Sequence, residues 1–455
     1  MNVGCGGGAG PGRAFGPAAP GCLTRREFLW MLSMSAAGAA AGCAFDPVTG
    51  RSQLMLVSEA QEIQIDRQYS PRQYSADYGL TQDAALNRYI DGVGRSLIPH
   101  THRPGMPYAF RTVNAVYVNA YAFPGGSIAV TRGILLELAN EASLAALLGH
   151  ELGHVNARHT AEQMSKSQMT SVLLSGLQLA AGMGGASYGD IAGQLGMLGA
   201  SLLLASYSRD NEREADALGN AYMVKAGYNT DGFVDLMGML NSLSKEKPGY
   251  ADVLFSTHPM SDERYRTAVN DARTKYQASH NAPLGKERYM DQTASLRRMK
   301  GAIELMQKGD ASLSRKRYDE AESFFRNALE QAPRDYAALV MMSKCLIVQE
   351  KSREALRYAD QARAVYPGEA QAYYVSGFAR LDQKQFQEAF QAFDRYDQIL
   401  PGNPSTAFLK GYALEGMGRK PDAAAQYQKY LQSVQKGAQA QHAYNRLVEW
   451  GYIRK

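Results

Sequence analysis

Cysteine is scarce in this 455-residue sequence, which contains only four. Cys5, Cys22 and Cys43 lie within the first 43 residues, so Cys345 stands alone in the remainder of the chain. Such a distribution excludes a framework of structural disulfides. Any stable fold must therefore come from a packed core.

A large excess of one charge is also missing. Lysine and arginine total 49 against 44 aspartates and glutamates, a formal net charge of +5. Residues 1–42 hold three arginines and one glutamate, so the rest of the chain carries 5 minus 2, or +3. This small charge argues against nucleic acid as a partner. With 45% hydrophobic and 20% charged residues, the composition is that of a soluble globular protein, long enough for two or three domains.

The N-terminus has the pattern of an export signal. A twin arginine at 25 and 26 precedes an uncharged apolar run that ends at Gly42 and is short for a membrane span, which resembles a Tat signal. Ala-Ala-Gly before Cys43 resembles a bacterial lipobox, and a plain signal peptide is the alternative. We expect residues 1–42 to be the signal and Cys43 to carry lipid. The body would then lie in the periplasm on a membrane, and Ala44 favours the outer membrane.

The body divides into a tether with a first helix at 43–77, a mixed domain at 78–285 and a helical domain at 300–455. Residues 113–135 are rich in β-branched and aromatic residues on both sides of Pro-Gly-Gly, which predicts a hairpin or a bent edge strand. Residues 167–208 contain one charged residue, Asp190. A buried or surface helical pair is the favoured interpretation of this stretch, and a membrane hairpin is the alternative.

The last third of the chain repeats itself. Pro333, Pro367 and Pro401 recur every 34 residues, each after a helix-like run. Small and aromatic residues recur in phase with them: Ala321, Ala355 and Ala389, then Ala328, Ala362 and Tyr396, then Phe325 and Phe393. This period is typical of tetratricopeptide repeats. We predict an α-solenoid with a concave face for protein or peptide binding, a fourth unit around Gly411, Ala423 and Tyr427, and a C-terminal capping helix.

The stretch "LLGHELGHVNARHT" predicts half of a metal site. Leucines and Val155 at three- and four-residue steps indicate an amphipathic helix that begins near Asn140. On it His150 and His154 lie one turn apart and can face one metal ion. Glu151 lies about 100° around the helix from His150, so it can act as a general base without being a ligand.

The third ligand must come from another segment. A metzincin needs glycine and histidine where this chain has Ala157 and Thr160, and His159 is one residue early. We therefore predict that His159 is a solvated or capping residue that does not bind the metal. In "SRDNEREADALGN", Glu212 and Asp216 share a helix face and Glu214 points elsewhere. Glu212 would complete a gluzincin zinc site, and Asp216 would orient a ligating histidine.

A histidine and an arginine in "FSTHPMSDERYR" can contribute to the same site. His258 and Arg264 are placed at the mouth of the cleft. One role is stabilisation of the oxyanion of a tetrahedral intermediate. Another is that His258 fills the open position of the metal and keeps the site latent. A loop histidine without a role is the third interpretation.

These segments together resemble a known family. "NAYAFPGG", "HELGH", "EREAD" and "STHP", followed by Arg264, are similar to the HtpX and CAAX-prenyl-protease family of zinc metallopeptidases over roughly residues 50–280. The fold class is therefore mostly α: an α+β gluzincin domain with a small sheet, then the solenoid. The resemblance implies outer-membrane proteins as substrates and their assembly machinery as the partner of the repeats.

The predicted activity is zinc-dependent endopeptidase action, with one zinc ion per chain, on misfolded or stalled proteins of the bacterial envelope. An extended substrate would add to an edge strand, which favours unfolded chains. That strand comprises Asn119, Ala120, Tyr121, Ala122 and Phe123. The alternative is a chaperone or scaffold for outer-membrane protein assembly with a latent protease site. A third possibility is an integral-membrane processing protease that uses residues 167–208 as a hairpin.

Overall fold

The structure is a computed structural model that describes residues 43–45, 47–48, 50, 52–165, 206–246 and 251–454. The predicted export signal lies outside these residues, and so does nearly all of the stretch from 167 to 208. Within the described part of the chain, no helix combines the length and apolar character needed to cross a membrane.

The described residues begin with a short antiparallel hairpin of β1 (Cys43–Phe45) and β2 (Ser52–Leu54), and α1 (Glu59–Ala76) follows. Ser58 starts α1 with a capping box, since its side chain accepts from the backbone of Gln61 and the Gln61 side chain accepts in return. The predicted first helix is confirmed. In the segment that precedes α1, Met55 and Val57 are buried in contact with Ala161, and its assignment as a tether stays a prediction. The domain boundary at 77 stays a prediction.

A three-stranded sheet follows α2 (Ala84–Leu97). It contains β3 (Ala109–Val113), β4 (Ala120–Ala122) and β5 (Ser127–Thr131) in the order β3-β5-β4. β3 pairs parallel with β5, and β4 pairs antiparallel with β5, so the predicted hairpin is confirmed and β4 lies at an edge. Gly126 turns the hairpin at φ +105°, a backbone conformation that favours glycine.

After α3 (Arg132–Glu137), the central helix α4 (Glu141–Asn156) is capped at Asn140, whose side chain accepts from Ser143, as the predicted start requires. The prediction that this helix is amphipathic is wrong. All 16 residues of α4 are buried, because other elements surround the helix on every side. Residues 159–165 form a further helical segment.

The remaining helices of the first domain enclose α4 and the sheet. They are α5 (Arg209–Lys225), α6 (Asp231–Glu246), α7 (Asp252–Thr257), α8 (Asp262–Arg273), α9 (Lys286–Gln292) and α10 (Ala294–Arg298), with a 3-10 turn at Gln277–Asn281. α5 and α6 pack directly on α4. The first domain is therefore built around a buried helix.

The helical repeats are confirmed. Four helix pairs and a capping helix follow in order: α11 (Lys300–Ser314), α12 (Tyr318–Gln331), α13 (Tyr336–Val348), α14 (Ser352–Val365), α15 (Gln371–Asp382), α16 (Phe386–Ile399), α17 (Pro404–Gly416), α18 (Lys420–Leu431) and α19 (Ala438–Glu449). The three periodic prolines follow the ends of α12, α14 and α16. Phe325 and Phe393 are buried against Gly309 and Gly377, where a side chain on the glycine would collide with the ring.

The repeats also pack against the first domain. One hydrophobic core extends from Leu86 in α2 to Ala379 in α15. Arg132 forms a buried ion pair of 2.5 Å with Asp335 at the start of α13, and Gln307 donates to a backbone carbonyl of the first domain at 2.6 Å. Part of the surface of the first repeats is therefore covered by the first domain. Among the described residues, exposed tyrosines lie at the opposite end of the solenoid, at 412, 444 and 452.

Candidate metal centre

Four buried side chains from three helices converge at one point. His150 and His154 project from α4, Glu212 from the first turn of α5, and His258 follows the end of α7. One nitrogen or oxygen atom from each lies within 4.8 Å of those of the other three. The structure thus brings together the three predicted ligands and adds His258 to them.

The close approach of α4 and α5 depends on glycines. A Cβ at Gly149 would lie 2.8 Å from the carbonyl oxygen of Gly219, and a Cβ at Gly153 would lie 2.8 Å from that of Ala215. Both distances are shorter than real Cβ contacts allow. The two backbones are therefore in direct contact, which holds Glu212 beside the histidines one turn apart on α4.

The distances among the converging atoms fit a metal ion. His150 Nε2 and His154 Nε2 are 3.1 Å apart, and Glu212 carboxylate oxygens lie 3.3 Å from His154 Nε2 and 3.6 Å from His150 Nε2. A tetrahedral site with bonds of about 2.0 Å separates its ligand atoms by about 3.3 Å. Two imidazoles and a carboxylate also match the donor types that zinc prefers. The residues present therefore fit a zinc ion.

Asp216 lies beneath the first histidine, one turn beyond Glu212. Its Oδ1 is 2.9 Å from Nδ1 of His150, the nitrogen that faces away from the other ligands. A carboxylate in this place fixes the tautomer and the ring orientation of a ligating histidine. The contact is the one expected from the sequence, and its role in metal binding stays a prediction.

The expectation for Arg264 is wrong. It is 5% exposed and does not stand at a cleft mouth. Its guanidinium contacts Asp216 at 2.6 and 2.7 Å and Glu212 at 2.6 Å, so its donors are directed at carboxylates and away from a substrate oxyanion. Burial alone would raise the pKa of Asp216, but Arg264 outweighs it and holds the pKa below its ordinary value. Arg264 therefore favours the charged form of Asp216 and contacts both carboxylates.

Glu151 has the placement of a general base. It is 1% exposed, and its Oε2 has no hydrogen-bond partner among the described residues. Burial raises the pKa of this carboxyl, which makes the carboxylate a stronger proton acceptor. A buried carboxylate oxygen without a partner, beside four potential metal ligands, indicates a group absent from the chain itself.

His258 lies inside the cluster rather than at its mouth. Its Nδ1 is 3.1 Å from Glu212 and 3.4 Å from Nε2 of His150, and its Nε2 is 3.8 Å from Glu151. Burial would lower the pKa of His258, but the carboxylates of Glu212 and Glu151 outweigh burial and raise it. This position fits the latency interpretation better than a loop histidine without a role, and its function stays a prediction.

The structure corrects the expectation for His159. It lies outside the four-residue cluster, but it is neither solvated nor at the surface, since it is 1% exposed. Its Nδ1 is 3.0 Å from Nδ1 of His154, and its Nε2 is 3.2 Å from Glu214. Glu214 does point away from the cluster, as expected. The sequence argument assumed one continuous helix and so did not predict the contact with His154. The structure shows that α4 ends at Asn156, before His159.

Tyr207 is a further neighbour of the site that the sequence did not indicate. Its ring stacks on His154 with 3.8 Å between centroids and 22° between planes. It follows the segment that lies outside the described residues, and no motif marks it. Burial lowers the pKa of His154 well below its ordinary value, so this imidazole is neutral, the form that binds a metal.

The predicted substrate strand lies beside the metal helix. β4 packs against α4 and forms the edge of the sheet, and no other described strand pairs with its free side. Asn119 is fully buried, and neither polar atom of its side chain has a partner among the described residues. Tyr121 turns away and donates to Asp77 at 2.5 Å. Binding of a substrate at the free side of this strand stays a prediction.

A helix that carries His-Glu-x-x-His, a second helix that carries Glu and Asp one turn apart, and a small mixed sheet define a metallopeptidase. Residues 84–272 match Peptidase family M48, and residues 312–375 match the tetratricopeptide repeat. The chain therefore carries an M48 metallopeptidase domain followed by tetratricopeptide repeats.

Several curated proteases are similar in sequence to this chain. The chain is 27% identical over 343 residues to the beta-barrel assembly-enhancing protease of Yersinia pestis, covering 68% of each chain. It is 27% identical over 347 residues to the protein of that name in Escherichia coli K12, covering 70% of this chain and 69% of the relative. It is also 32% identical over 160 residues to the metalloprotease YcaL of that strain, covering 35% of this chain and 60% of the relative.

Proposed function

We propose that this metallopeptidase is a zinc-dependent endopeptidase of the bacterial cell envelope that degrades misfolded or stalled outer-membrane proteins. The observation that carries the proposal is the buried cluster of His150, His154 and Glu212 beside the unpartnered carboxylate of Glu151. The name of two of the relatives, beta-barrel assembly-enhancing protease, supports outer-membrane proteins as substrates. The repeats would bind a partner, for which the assembly machinery of these proteins is the candidate.

The chain's own residues account for the peptidase chemistry. His150, His154 and Glu212 would hold the zinc ion, which when bound supplies a Lewis acid that polarises a carbonyl and acidifies water. Glu151 takes the proton of the attacking water and returns it to the leaving amine. The free edge of β4 holds an extended segment of substrate by backbone hydrogen bonds, so that a folded protein is a poor substrate.

The placement of the protein belongs to the same proposal. The twin-arginine signal and the lipobox would direct the chain to the periplasm and attach lipid to Cys43. Diacyl and further acyl chains on one cysteine give stable membrane attachment. We expect Cys43→Ser to release the protein from the membrane fraction. Fractionation of cells that carry wild type or the variant measures this release.

A second candidate function is supported by His258. Because this histidine lies 3.1 Å from Glu212 and 3.4 Å from His150, it is placed to occupy a coordination position and keep the site latent. A chaperone or scaffold that acts through its repeats would need only such a silent site. Replacement of His258 by Ala would then raise cleavage, whereas replacement of a catalytic histidine would lower it.

The deciding experiment uses the protein from Ala44 onward with an unfolded model protein as substrate. Wild type should bind about one zinc ion and cleave, and Glu151→Gln should bind zinc and lose about 10²- to 10⁴-fold in rate. Glu388→Gln, an exposed change on α16, is the matched control and should retain activity. Zinc in wild type without cleavage would contradict the endopeptidase proposal and favour the latent scaffold.

A further inference from the structure

We propose that His159 and Glu214 are positioning residues that hold His154 in the orientation and tautomer required for metal binding. The inference rests on the proposed metal site, and it assigns a role to two side chains outside the ligand set. It predicts that the second histidine of the motif is supported as specifically as the first, which Asp216 contacts directly.

The first observation is the direction of each ring nitrogen of His154. Its Nε2 faces the cluster, 3.1 Å from His150 and 3.3 Å from Glu212. Its Nδ1 faces the other way and lies 3.0 Å from Nδ1 of His159. A nitrogen that binds a metal must present a lone pair, so the proton of the neutral ring must be on Nδ1.

The proton positions in the hydrogen-bonded series from His154 through His159 to Glu214 then follow from which atoms donate and which accept. Nδ1 of His154 donates, so Nδ1 of His159 must accept and the proton of His159 must be on Nε2. That nitrogen lies 3.2 Å from the Glu214 carboxylate, which accepts it. The carboxylate thus selects the tautomer of His159, and His159 selects the tautomer of His154. The opposite tautomer of either ring would place two protons or two lone pairs against each other.

Because both histidines are buried, each depends on its protein partners for hydrogen bonds. His154 and His159 are each 1% exposed, so water does not substitute for a lost partner. The face of His154 is stacked on Tyr207 at 3.8 Å, and Thr160 lies 3.0 Å from the hydroxyl of that tyrosine. The ring of His154 is therefore held on one face and at one edge, which leaves Nε2 directed at the cluster.

Backbone geometry explains how His159 reaches His154. On a continuous helix His154 and His159, which are five residues apart, would point about 140° away from each other. Instead α4 ends, and Arg158 adopts the left-handed conformation at φ +59°. Its side chain is anchored to Glu62 at 3.0 Å and to a backbone carbonyl, Val57, at 2.7 Å. The turn brings His159 back against the helix that it follows.

The support on α5 has a regular arrangement. Glu212 is a predicted ligand, and Glu214 and Asp216 follow it at two-residue steps on the same helix. Asp216 reaches His150 directly, whereas the imidazole of His159 spans the distance between Glu214 and His154. One helix thereby provides a carboxylate to each histidine of the motif. Loss of such a partner typically weakens metal affinity by about 10- to 100-fold.

The test measures zinc affinity of the full protein by competition with a chromophoric chelator. His159→Leu removes the acceptor but keeps a similar volume and should weaken zinc binding about 10- to 100-fold. His159→Asn retains an oxygen near the place of Nδ1 and should recover most of the affinity. Glu214→Leu should weaken binding, and His280→Leu, a change of an exposed histidine, should leave it unaltered.

The outcomes separate this inference from the proposed function. Wild-type zinc affinity in both His159→Leu and Glu214→Leu overturns the positioning role and leaves the metal site intact. A wild type that binds no zinc overturns both. Thermal unfolding of the zinc-free proteins provides the second readout, and we expect similar melting temperatures for wild type and His159→Asn. A loss of affinity that merely follows a loss of zinc-free stability, without recovery in His159→Asn, also overturns the role.

Discussion

The contact between α4 and α5 predicts an unusual effect of replacing Gly153 by Ala. A Cβ at this position would lie 2.8 Å from the carbonyl oxygen of Ala215 and 2.9 Å from its Cα. Ordinary contacts begin at 3.4 Å, so the two helices must separate locally by about 0.6 Å. The atoms in the way belong to the backbone, which cannot move aside as a side chain can.

The expected free energy follows from two opposing effects. Alanine in a helix interior is normally more stable than glycine by about 0.5 to 1 kcal/mol. Overpacking in a buried contact costs about 1 to 3 kcal/mol. We therefore expect Gly153→Ala to lower the free energy of unfolding by about 1 to 2 kcal/mol. It should also weaken zinc binding, since a functional site tolerates about 0.5 Å of displacement.

Gly92 provides the matched control. It is an exposed residue within α2, and apart from its chain neighbours and the adjacent backbone of its own helix, no described heavy atom lies within 4 Å of the place of its Cβ. Gly92→Ala should therefore raise the free energy of unfolding by about 0.5 to 1 kcal/mol. Urea unfolding of the zinc-free variants and chelator competition measure both effects. If Gly153→Ala is as stable as Gly92→Ala and binds zinc as wild type does, the backbone contact does not position the site.

Three further perturbations test the buried charges. Arg264→Met leaves the buried carboxylate of Glu212 and the partly exposed carboxylate of Asp216 without their cation, and it should cost about 3 to 5 kcal/mol in urea unfolding. The exposed Arg213→Met should cost less than about 1 kcal/mol. Burial raises the pKa of Asp77 to about 6 from 3.8. The folded state therefore binds more protons than the unfolded chain between those pH values, and the free energy of unfolding falls as pH rises through them by about 3 kcal/mol. Asp77→Asn should lack this fall in zinc-free urea titrations; an unchanged fall would contradict the assignment. Arg132→Met should lower stability by about 3 to 5 kcal/mol, and an added Asp335→Asn should recover part of the loss, because it removes the unpaired charge and still caps α13. No recovery in the double variant would refute this account.

Features that depend on local geometry were predictable from the sequence. His150 and His154 are four residues apart, and any α-helix places such residues on one face. Asn140 and Ser58 cap helices through bonds to residues three positions away, which requires no distant contact. The repeat period was equally visible, because each unit packs mainly on its neighbours and so reuses the same small residues and prolines.

Features that depend on distant segments required the structure. Helical spacing predicted a solvated His159 outside the ligand set, and the structure places it outside the four-residue cluster but buried. The left-handed turn at Arg158 that brings it there has partners about 100 residues away in the chain. The partners of Arg264 were missed for the same reason, since its motif does not encode that its side chain reaches Asp216 and Glu212 on α5.

By itself, the sequence determined the type of chemistry, through residues spaced along single helices, and the architecture of the repeats. Only the tertiary structure decided which groups surround the metal site, that α4 is buried on all sides, and that the solenoid packs on the catalytic domain through Arg132 and Asp335. The physical reason is that local periodicity specifies the faces of a helix. Which surfaces meet depends on shape and charge complementarity between segments far apart in the chain.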